Sequence, residues 1–207
     1  MVKHFIVLLS LTVVACGQPP TNTPRSLATT SAIIGGTHDT SASPAVLIKA
    51  TLGGNTGYCS GVIVSPHVVL TAAHCTLLNG ATYSIFVGDD FATQGDMADL
   101  NFAVTSRHPH PRYDRTTNSY DLGVLVTGEV LPRAPAPLNR TPLDSSFIGR
   151  EVKLIGFGQT VANDQSSIGK RTVATSSFAA IDPGDVTFRG TPNICLFDSG
   201  GPVLMEQ

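Results

Sequence analysis

Three short segments of the chain carry residues whose types could do chemistry together. His74 stands beside a cysteine at the end of an apolar stretch, Asp121 opens another apolar stretch, and Ser199 is followed by two glycines. A serine hydroxyl is a weak nucleophile that needs a base within reach, and the base needs an acceptor that fixes its tautomer. A carboxylate at the mouth of a buried strand also needs a partner, because burying it unpaired is costly. These residue types suit nucleophilic catalysis, provided that the fold brings them together.

The stretches between these residues predict β-strands. From residue 33 onward, short apolar runs are bounded by Gly, Pro, Asn and Asp, and no run keeps a 3.6-residue period. Residues 45–52 and 61–70 look buried on both faces. One buried face is predicted where alternate residues are apolar: Tyr83, Ile85 and Val87; Leu100, Phe102 and Val104; Val152 and Leu154. Many short strands with frequent turns favour a sandwich or barrel over alternating βαβ units.

Composition and charge narrow the class of protein. The 207 residues are 42% hydrophobic and 14% charged, with a formal net charge of −2. This composition can build a globular core, so it excludes an acidic disordered segment. No basic stripe is present, which argues against nucleic acid as a partner. The length fits one domain with room for two lobes.

The first 32 residues predict an export signal followed by a tether. Lys3 precedes an apolar run over residues 5–15, about half of the roughly 20 residues that span a bilayer, and this suits a signal peptide over residues 1–15. The Ala15-Cys16 junction resembles the lipobox of bacterial lipoproteins, which implies a membrane anchor through acylated Cys16. Ordinary secretory cleavage near Ala15, with Cys16 left as a free thiol, is the alternative. Residues 16–32 are rich in Pro, Thr and Ser and predict a flexible tether or propeptide.

Four motifs in order resemble the chymotrypsin/trypsin family of serine proteases. They are the IIGG segment at residues 33–36, TAAHC at 71–75, the segment around Asp121, and DSGGP at 198–202. The resemblance covers residues 33–207 and implies an all-β fold of two packed antiparallel six-stranded barrels, with the active site between them. It implies a serine endopeptidase that works through an acyl-enzyme. Together with the lipobox-like junction at Cys16, it predicts a secreted or lipid-anchored enzyme of the bacterial cell envelope, at the outer membrane or released after cleavage. The expected partner is a protein or peptide substrate, and we expect a monomer without cofactor or metal.

The resemblance also implies a role for each site residue. Ser199 is the nucleophile, His74 is general base and then acid, and Asp121 is the buried carboxylate that orients His74. The backbone N–H groups of Phe197 and Ser199 form the oxyanion hole. Phe197 stands where the family has glycine, so it keeps the donor without glycine's conformational freedom.

Activation and specificity follow from the same resemblance. Asp198 is expected to receive the ammonium group of a new chain start at Ile33, which makes the chain a zymogen. Ala32 precedes Ile33 where the family usually has Arg or Lys, which argues against autoactivation with tryptic specificity. Cleavage there would also release the domain from Cys16. Asn193 occupies the floor of the primary specificity pocket, where trypsin-like members have aspartate, so we expect a neutral or unusual side-chain preference.

The cysteines match the family in part. Cys59 and Cys75 correspond to the disulfide beside the catalytic histidine, whereas the family partner of Cys195 would lie beyond residue 207. A zinc site built from the first two cysteines and His74 lacks the paired spacing of zinc motifs. The loop at Asp89-Asp90 is expected to be solvated rather than to bind calcium. No role is assigned to the remaining histidines of the mature region: His38, His67, His108 and His110.

The second barrel is expected to be incomplete at its C-terminal end. Four candidate strands occur, at residues 151–157, 171–180, 185–188 and 202–205, where the family has six. The domain over residues 33–207 is therefore expected to be C-terminally truncated. The alternative function is a catalytically inactive protease homologue, or a truncated relic, that acts as a surface binding module. Phe197 and the short second barrel favour this alternative, whereas the triad residues and the Gly200-Gly201-Pro202 run favour the enzyme.

Overall fold

Strands dominate the computed structural model, which describes residues 4–7, 33, 36–161, 164–182, 184–189 and 197–206. The strands in these ranges are β1 (His4–Val7), β2 (Thr37–His38), β3 (Ala45–Leu52), β4 (Asn55–Ser65), β5 (Val68–Thr71), β6 (Thr82–Phe86), β7 (Asn101–Pro109), β8 (Gly123–Thr127), β9 (Glu151–Gly156), β10 (Thr172–Asp182), β11 (Asp185–Phe188) and β12 (Val203–Glu206). The helices are short: α1 (Phe91–Gln94) and 3-10 turns at Ala73–Thr76, Ala98–Leu100, Ser145–Phe147 and Gln165–Ser167. Within the described ranges, no helix has the length and apolarity needed to cross a membrane.

The first half of the chain closes into a barrel in the strand order β3-β4-β5-β8-β7-β6. Successive residues of β3 serve two different cores, as the period of two in a strand requires. Val46 and Ile48 pack inside the barrel, whereas Ala45 and Leu47 join the cluster that faces the second sheet. The predicted burial on both faces is therefore confirmed for the first four residues of β3, and it is lost from Lys49 onward, where the side chains become half-buried or exposed.

The apolar stretch at residues 61–70 is interrupted by a turn. β4 ends at Ser65, Pro66 and His67 form the turn, and β5 returns antiparallel to β4. Proline has no N–H to donate to a ladder, so it ends the pairing there. The hairpin carries the end of β5 to the rim of the barrel, where His74 follows three residues later.

The second half forms a half-barrel in the order β1-β12-β9-β10-β11, with β2 pairing β10. The four strands predicted here are confirmed as β9 to β12, with bounds within two residues of those expected. Phe147, Val152, Leu154 and Phe178 build its core, and Ile33 is buried among them. The all-β fold with a complete first barrel and an incomplete second one is thus as the sequence predicts.

One strand was not expected. His4–Val7 lies in the segment that the sequence assigns to an export signal, yet its backbone forms β1 along β12, with His4 opposite Glu206 and Val7 opposite Val203. The other neighbour of β12 is β9. β1 therefore pairs backbone groups that would otherwise form an open sheet edge.

A buried arginine ties the half-barrel to the rest of the molecule. Arg171, which directly precedes β10, is 0% exposed. Its Nε donates to Asp39 Oδ2 at 3.1 Å, its Nη1 donates to the Gly88 carbonyl at 3.1 Å, and its Nη2 donates to the Ser41 carbonyl. Burial opposes ionisation of Asp39, but hydrogen bonds from Ser41 and the nearby guanidinium lower the pKa of its carboxyl. Burial lowers the pKa of Arg171, against the opposing attraction of Asp39.

The Asp89-Asp90 loop takes part in the same junction. The Asp89 carboxylate lies 2.9 Å from His38 Nε2, and the Asp90 carboxylate lies 3.4 Å from Lys170 Nζ. Both aspartates are half-buried. The loop is therefore not only solvated as expected, because side chains from β2 and from the approach to β10 contact these carboxylates.

Candidate active site

The pairing of β5 with β8 brings His74 and Asp121 together. Thr71 at the end of β5 lies opposite Gly123 at the start of β8, so His74, three positions after β5, meets Asp121, two positions before β8. His74 Nδ1 lies 2.7 Å from Asp121 Oδ2, and the His74 backbone N–H donates to Asp121 Oδ1 at 2.8 Å. A carboxylate oxygen only accepts, so the Nδ1 atom carries the proton and Nε2 is left as the acceptor.

The Asp121 and His74 side chains differ in their exposure to solvent. The Asp121 side chain is 2% exposed and the His74 side chain is 34% exposed. Both oxygens of the buried carboxylate are hydrogen-bonded, which meets the sequence expectation that this carboxylate needs a partner. The imidazole is thus held on one edge and open on the other.

Tyr120, next to Asp121, holds a conformation that the sequence does not reveal. Its φ is 57°, in the left-handed region that favours glycine. Its ring stacks on His110, with centroids 5.1 Å apart and planes 8° apart, and the Arg112 guanidinium lies 4.1 Å from the ring centroid. Sequence reasoning gave His110 no role. The aromatic residue Tyr120, directly before Asp121, was the sequence signal that could have indicated this stacking.

The segment with Ser199 packs directly against the His74 segment. Ser60 N–H donates to the Ser199 carbonyl at 2.9 Å, and Cys75 Sγ lies 3.8 Å from the same oxygen. Gly200 has a φ of +80°, and a Cβ there would lie 2.1 Å from Thr71 Oγ1. Only glycine allows this approach of the serine loop to the end of β5. Ser199 is 8% exposed, and among the described residues no hydrogen bond joins its hydroxyl to His74.

Phe197 adopts the glycine-like conformation that its side chain was expected to oppose. Its φ is 76°, its carbonyl accepts from Ser60 Oγ at 3.1 Å, and its ring meets the Tyr58 ring edge-on with centroids 6.3 Å apart. The Tyr58 ring contacts Phe91 in turn. Within the described part of the chain, neither the Phe197 nor the Ser199 amide N–H donates a hydrogen bond.

Asp198 and Ile33 are both buried, at 3% and 1% exposure. Asp198 Oδ1 accepts from the Gly158 N–H at 2.8 Å. A Cβ on Gly156 would lie 2.1 Å from that same oxygen, so a glycine is needed there. In the intact chain the Ile33 nitrogen is part of a peptide bond, and the Ile33 side chain already fills the half-barrel core. The pairing of a new Ile33 terminus with Asp198 stays a prediction.

The expected disulfide is present between Cys59 and Cys75, with Cα atoms 6.2 Å apart. It fastens β4 to the turn that carries His74. The two sulfur atoms and His74 lie within 4.8 Å of one another, but sulfur atoms joined in a disulfide are not thiolate ligands. This cluster is therefore not a zinc site. Three other predicted residues lie outside the described ranges: Cys16, Asn193 and Cys195.

A closed six-stranded barrel packed on a half-barrel, with a histidine–aspartate pair beside a serine loop, defines the class of chymotrypsin-like serine proteases. Residues 33–207 match the family model described as Trypsin. The chain therefore belongs to the trypsin family. Among solved structures it is similar to HL collagenase, with a TM-score of 0.62 at 18% identity over 83% of this chain and 80% of that one. It is also similar to a mutant of human heparin binding protein, with a TM-score of 0.66 at 19% identity and the same coverages.

Trypsins and glucanase inhibitor proteins are both among the relatives similar in sequence. A trypsin of Simulium vittatum is 27% identical over 172 residues, covering 72% of this chain and 66% of that protein. Glucanase inhibitor protein 1 of Phytophthora sojae is 29% identical over 172 residues, covering 77% of this chain and 65% of that protein. The chain thus spans about two thirds of the length of these curated relatives.

Proposed function

We propose that this chain is a serine endopeptidase that hydrolyses peptide bonds through an acyl-enzyme, with His74, Asp121 and Ser199 as its triad. The observation that carries the proposal is the two-point hold of Asp121 on His74, at 2.7 and 2.8 Å. This hold fixes the tautomer that leaves Nε2 as the basic atom of His74, while the neighbouring Cys75 contacts the Ser199 carbonyl.

The chemistry would run through one proton carrier. Nε2 of His74 takes the Ser199 hydroxyl proton as Oγ attacks the substrate carbonyl, and buried Asp121 stabilises the imidazolium that forms. His74 then gives the proton to the leaving amine, and a water molecule repeats the sequence to release the acyl group. The Ser199 hydroxyl must turn toward Nε2 when substrate binds, as catalytic hydrogen bonds often tighten only in the complex.

The amides of Phe197 and Ser199, which donate no hydrogen bond among the described residues, suit an oxyanion hole. Both belong to a loop pinned by Ser60, whose Oγ donates to the Phe197 carbonyl and whose N–H donates to the Ser199 carbonyl. Donors fixed before the reaction stabilise the developing negative charge without reorganisation, and each such donor is worth about 2.7–4 kcal/mol in related chemistry.

Activation is proposed to occur by cleavage between Ala32 and Ile33. The new ammonium group would pair with Asp198, and the same cut would release the domain from an acyl anchor at Cys16 if residues 1–15 act as a bacterial export signal. Removal of residues 1–15 as an export signal would already take β1 from the edge of β12, before the cut at Ile33. Asn193 in place of an aspartate supports a preference for neutral side chains at the primary specificity pocket.

Radiolabelled fatty acid that enters the wild-type chain and not Cys16→Ser would support the anchor, and equal labelling would refute it.

A fluorophosphonate probe tests the proposed activity. The full chain is labelled before and after cleavage at Ala32–Ile33, and the modified residue is mapped by mass spectrometry. Labelling confined to Ser199, absent in Ser199→Ala and strongly reduced in Asp121→Asn, supports the triad. An unlabelled chain whose folding is verified by circular dichroism refutes it.

A second candidate is a binding protein that keeps the protease fold without turnover. Two observations favour it: Phe197 stands at a position where the family has glycine, and glucanase inhibitor proteins are among the relatives. A folded, cleaved chain that ignores the probe but binds a protein partner with the same affinity as Ser199→Ala would establish this reading.

A further inference from the structure

A basic recess adjoins the candidate active site. Its volume is about 440 Å³, and its walls include Thr76, Asn79, Arg107, Tyr113 and Arg115; we call it the arginine recess. Thr76 lies on the 3-10 turn that carries His74. The opposite wall belongs to the end of β7 and to the segment that leads to Asp121. The recess therefore lies between the turn that carries His74 and the segment that leads to Asp121.

Arg107 brings a positive charge that no carboxylate neutralises. It is half-buried, and its guanidinium donates to the Thr76 carbonyl and, at 2.9 Å, to Asn79 Oδ1. Both acceptors are neutral, and the Tyr83 ring below it, 5.4 Å from the guanidinium carbon, is neutral too. Among the described residues, no carboxylate comes within ion-pair distance of Arg107. A partly buried charge without a counter-charge favours an anionic ligand.

Arg115 adds a second positive charge to the same recess. It is exposed, and in the described ranges its side chain has no hydrogen bond or ion pair. The neighbouring Asp114 carboxylate instead accepts from the Thr116 amide at 2.8 Å. Burial and the Asp121 carboxylate raise the pKa of Tyr113, so its phenol stays neutral and adds no negative charge to the wall. Two guanidinium groups thus share one concave site in a chain whose net charge is negative.

We propose that the arginine recess binds the carboxylate of an aspartate or glutamate side chain of the peptide substrate, away from the bond that is cut. The planar fork of a guanidinium matches a carboxylate in geometry and charge, and the recess is large enough for a side chain to enter. This assignment rests on the proposed function, since it names the substrate class of that site. A substrate with an acidic residue near the scissile bond would gain an ion pair that its amide analogue lacks.

The test measures binding separately from turnover. Two fluorescein-labelled octapeptide pools that differ only in carrying glutamate or glutamine are titrated against full-length Ser199→Ala, by fluorescence anisotropy. Arg115→Gln is combined with Ser199→Ala, because Arg115 makes no described contact that the fold needs. Arg140→Gln is the matched control, since Arg140 is also exposed and does not line the recess.

The expected result is tighter binding of the glutamate pool, weakened about three- to tenfold by Arg115→Gln and unchanged by Arg140→Gln. Equal binding of both pools, no binding of either, or equal losses in the two arginine variants would overturn the proposal. So would a sulfated disaccharide that binds through Arg115 while the two peptide pools stay indistinguishable. Fluorophosphonate labelling of Arg115→Gln with Ser199 restored separates the two hypotheses. If neither the wild type nor Arg115→Gln is labelled, but the glutamate pool still binds more tightly than the glutamine pool, proteolysis is refuted. The recess then remains a peptide-binding site.

Discussion

Removing the charge of Asp39 should destabilise the protein far more than removing any exposed carboxylate. Arg171 is 0% exposed and Asp39 is 9% exposed, so Asp39→Asn removes the ion-pair partner of a buried guanidinium. Its other described hydrogen bonds go to the neutral carbonyls of Ser41 and Gly88, and Asp89 is the remaining carboxylate that acts on it. Breaking one side of a buried ion pair costs about 3–5 kcal/mol. For a chain of this size, each kcal/mol lowers the melting temperature by about 2–4 °C. We therefore expect a loss of about 6–20 °C.

The assay is thermal unfolding of the full chain for the melting temperature and urea unfolding for the free energy of unfolding. Both are followed by far-UV circular dichroism, because the chain has no tryptophan for fluorescence. Asp96→Asn is the control, since Asp96 is exposed. The double variant Asp39→Asn with Arg171→Met should recover part of the loss, because no buried charge remains. A loss below about 1 kcal/mol in Asp39→Asn, or a double variant whose loss is the full sum of the single ones, would refute the view that an uncompensated buried charge sets the cost.

Three further predictions address pH, backbone space and the serine loop. Because the pKa of Asp39 is lowered in the folded protein, the carboxylate stabilises the fold above its ordinary pKa of 3.8. This contribution to the free energy of unfolding is lost as the pH falls through the lowered pKa. The urea midpoint measured against pH should therefore show the loss in the wild type and not in Asp39→Asn. Gly200→Ala should abolish fluorophosphonate labelling, because its Cβ would lie 2.1 Å from Thr71 Oγ1; labelling at the wild-type rate would contradict the close approach. Tyr58→Ala should slow labelling while Tyr58→Phe preserves it, because the ring and not the hydroxyl supports Phe197; equal rates in the two variants would show that the ring contact is dispensable.

The sequence was a good guide where local pattern and burial agree. Alternating apolar residues located the strands, and the cost of burying Asp121 unpaired foretold its partner, because both follow from nearest-neighbour physics. Burial of Arg171 could not be predicted in this way. Its partner Asp39 lies 132 positions away, and no local pattern records a contact of that separation. β1 was missed for a related reason, since an apolar run gives no sign of which sheet edge it will pair.

Two residues of the candidate site have a backbone conformation that usually requires glycine. Tyr120 and Phe197 both hold a left-handed backbone, at a cost of about 1–3 kcal/mol each. The Tyr120 ring contacts His110 and Arg112. Phe197 contacts the Tyr58 ring, and its carbonyl accepts a hydrogen bond from the Ser60 hydroxyl.

The free energy that these contacts contribute is about equal to the cost of the backbone strain. An aromatic pair adds about 0.5–1.5 kcal/mol, a cation over a ring about 0.5–1 kcal/mol at an exposed site, and a hydrogen bond about 0.5–1.5 kcal/mol. Because strain and support nearly cancel, loss of one ring contact should let the segment beside Asp121 or Ser199 relax while the barrel stays folded. The geometry of the site is therefore expected to fail before the fold does, and its failure should be visible as lost fluorophosphonate labelling at an unchanged urea midpoint.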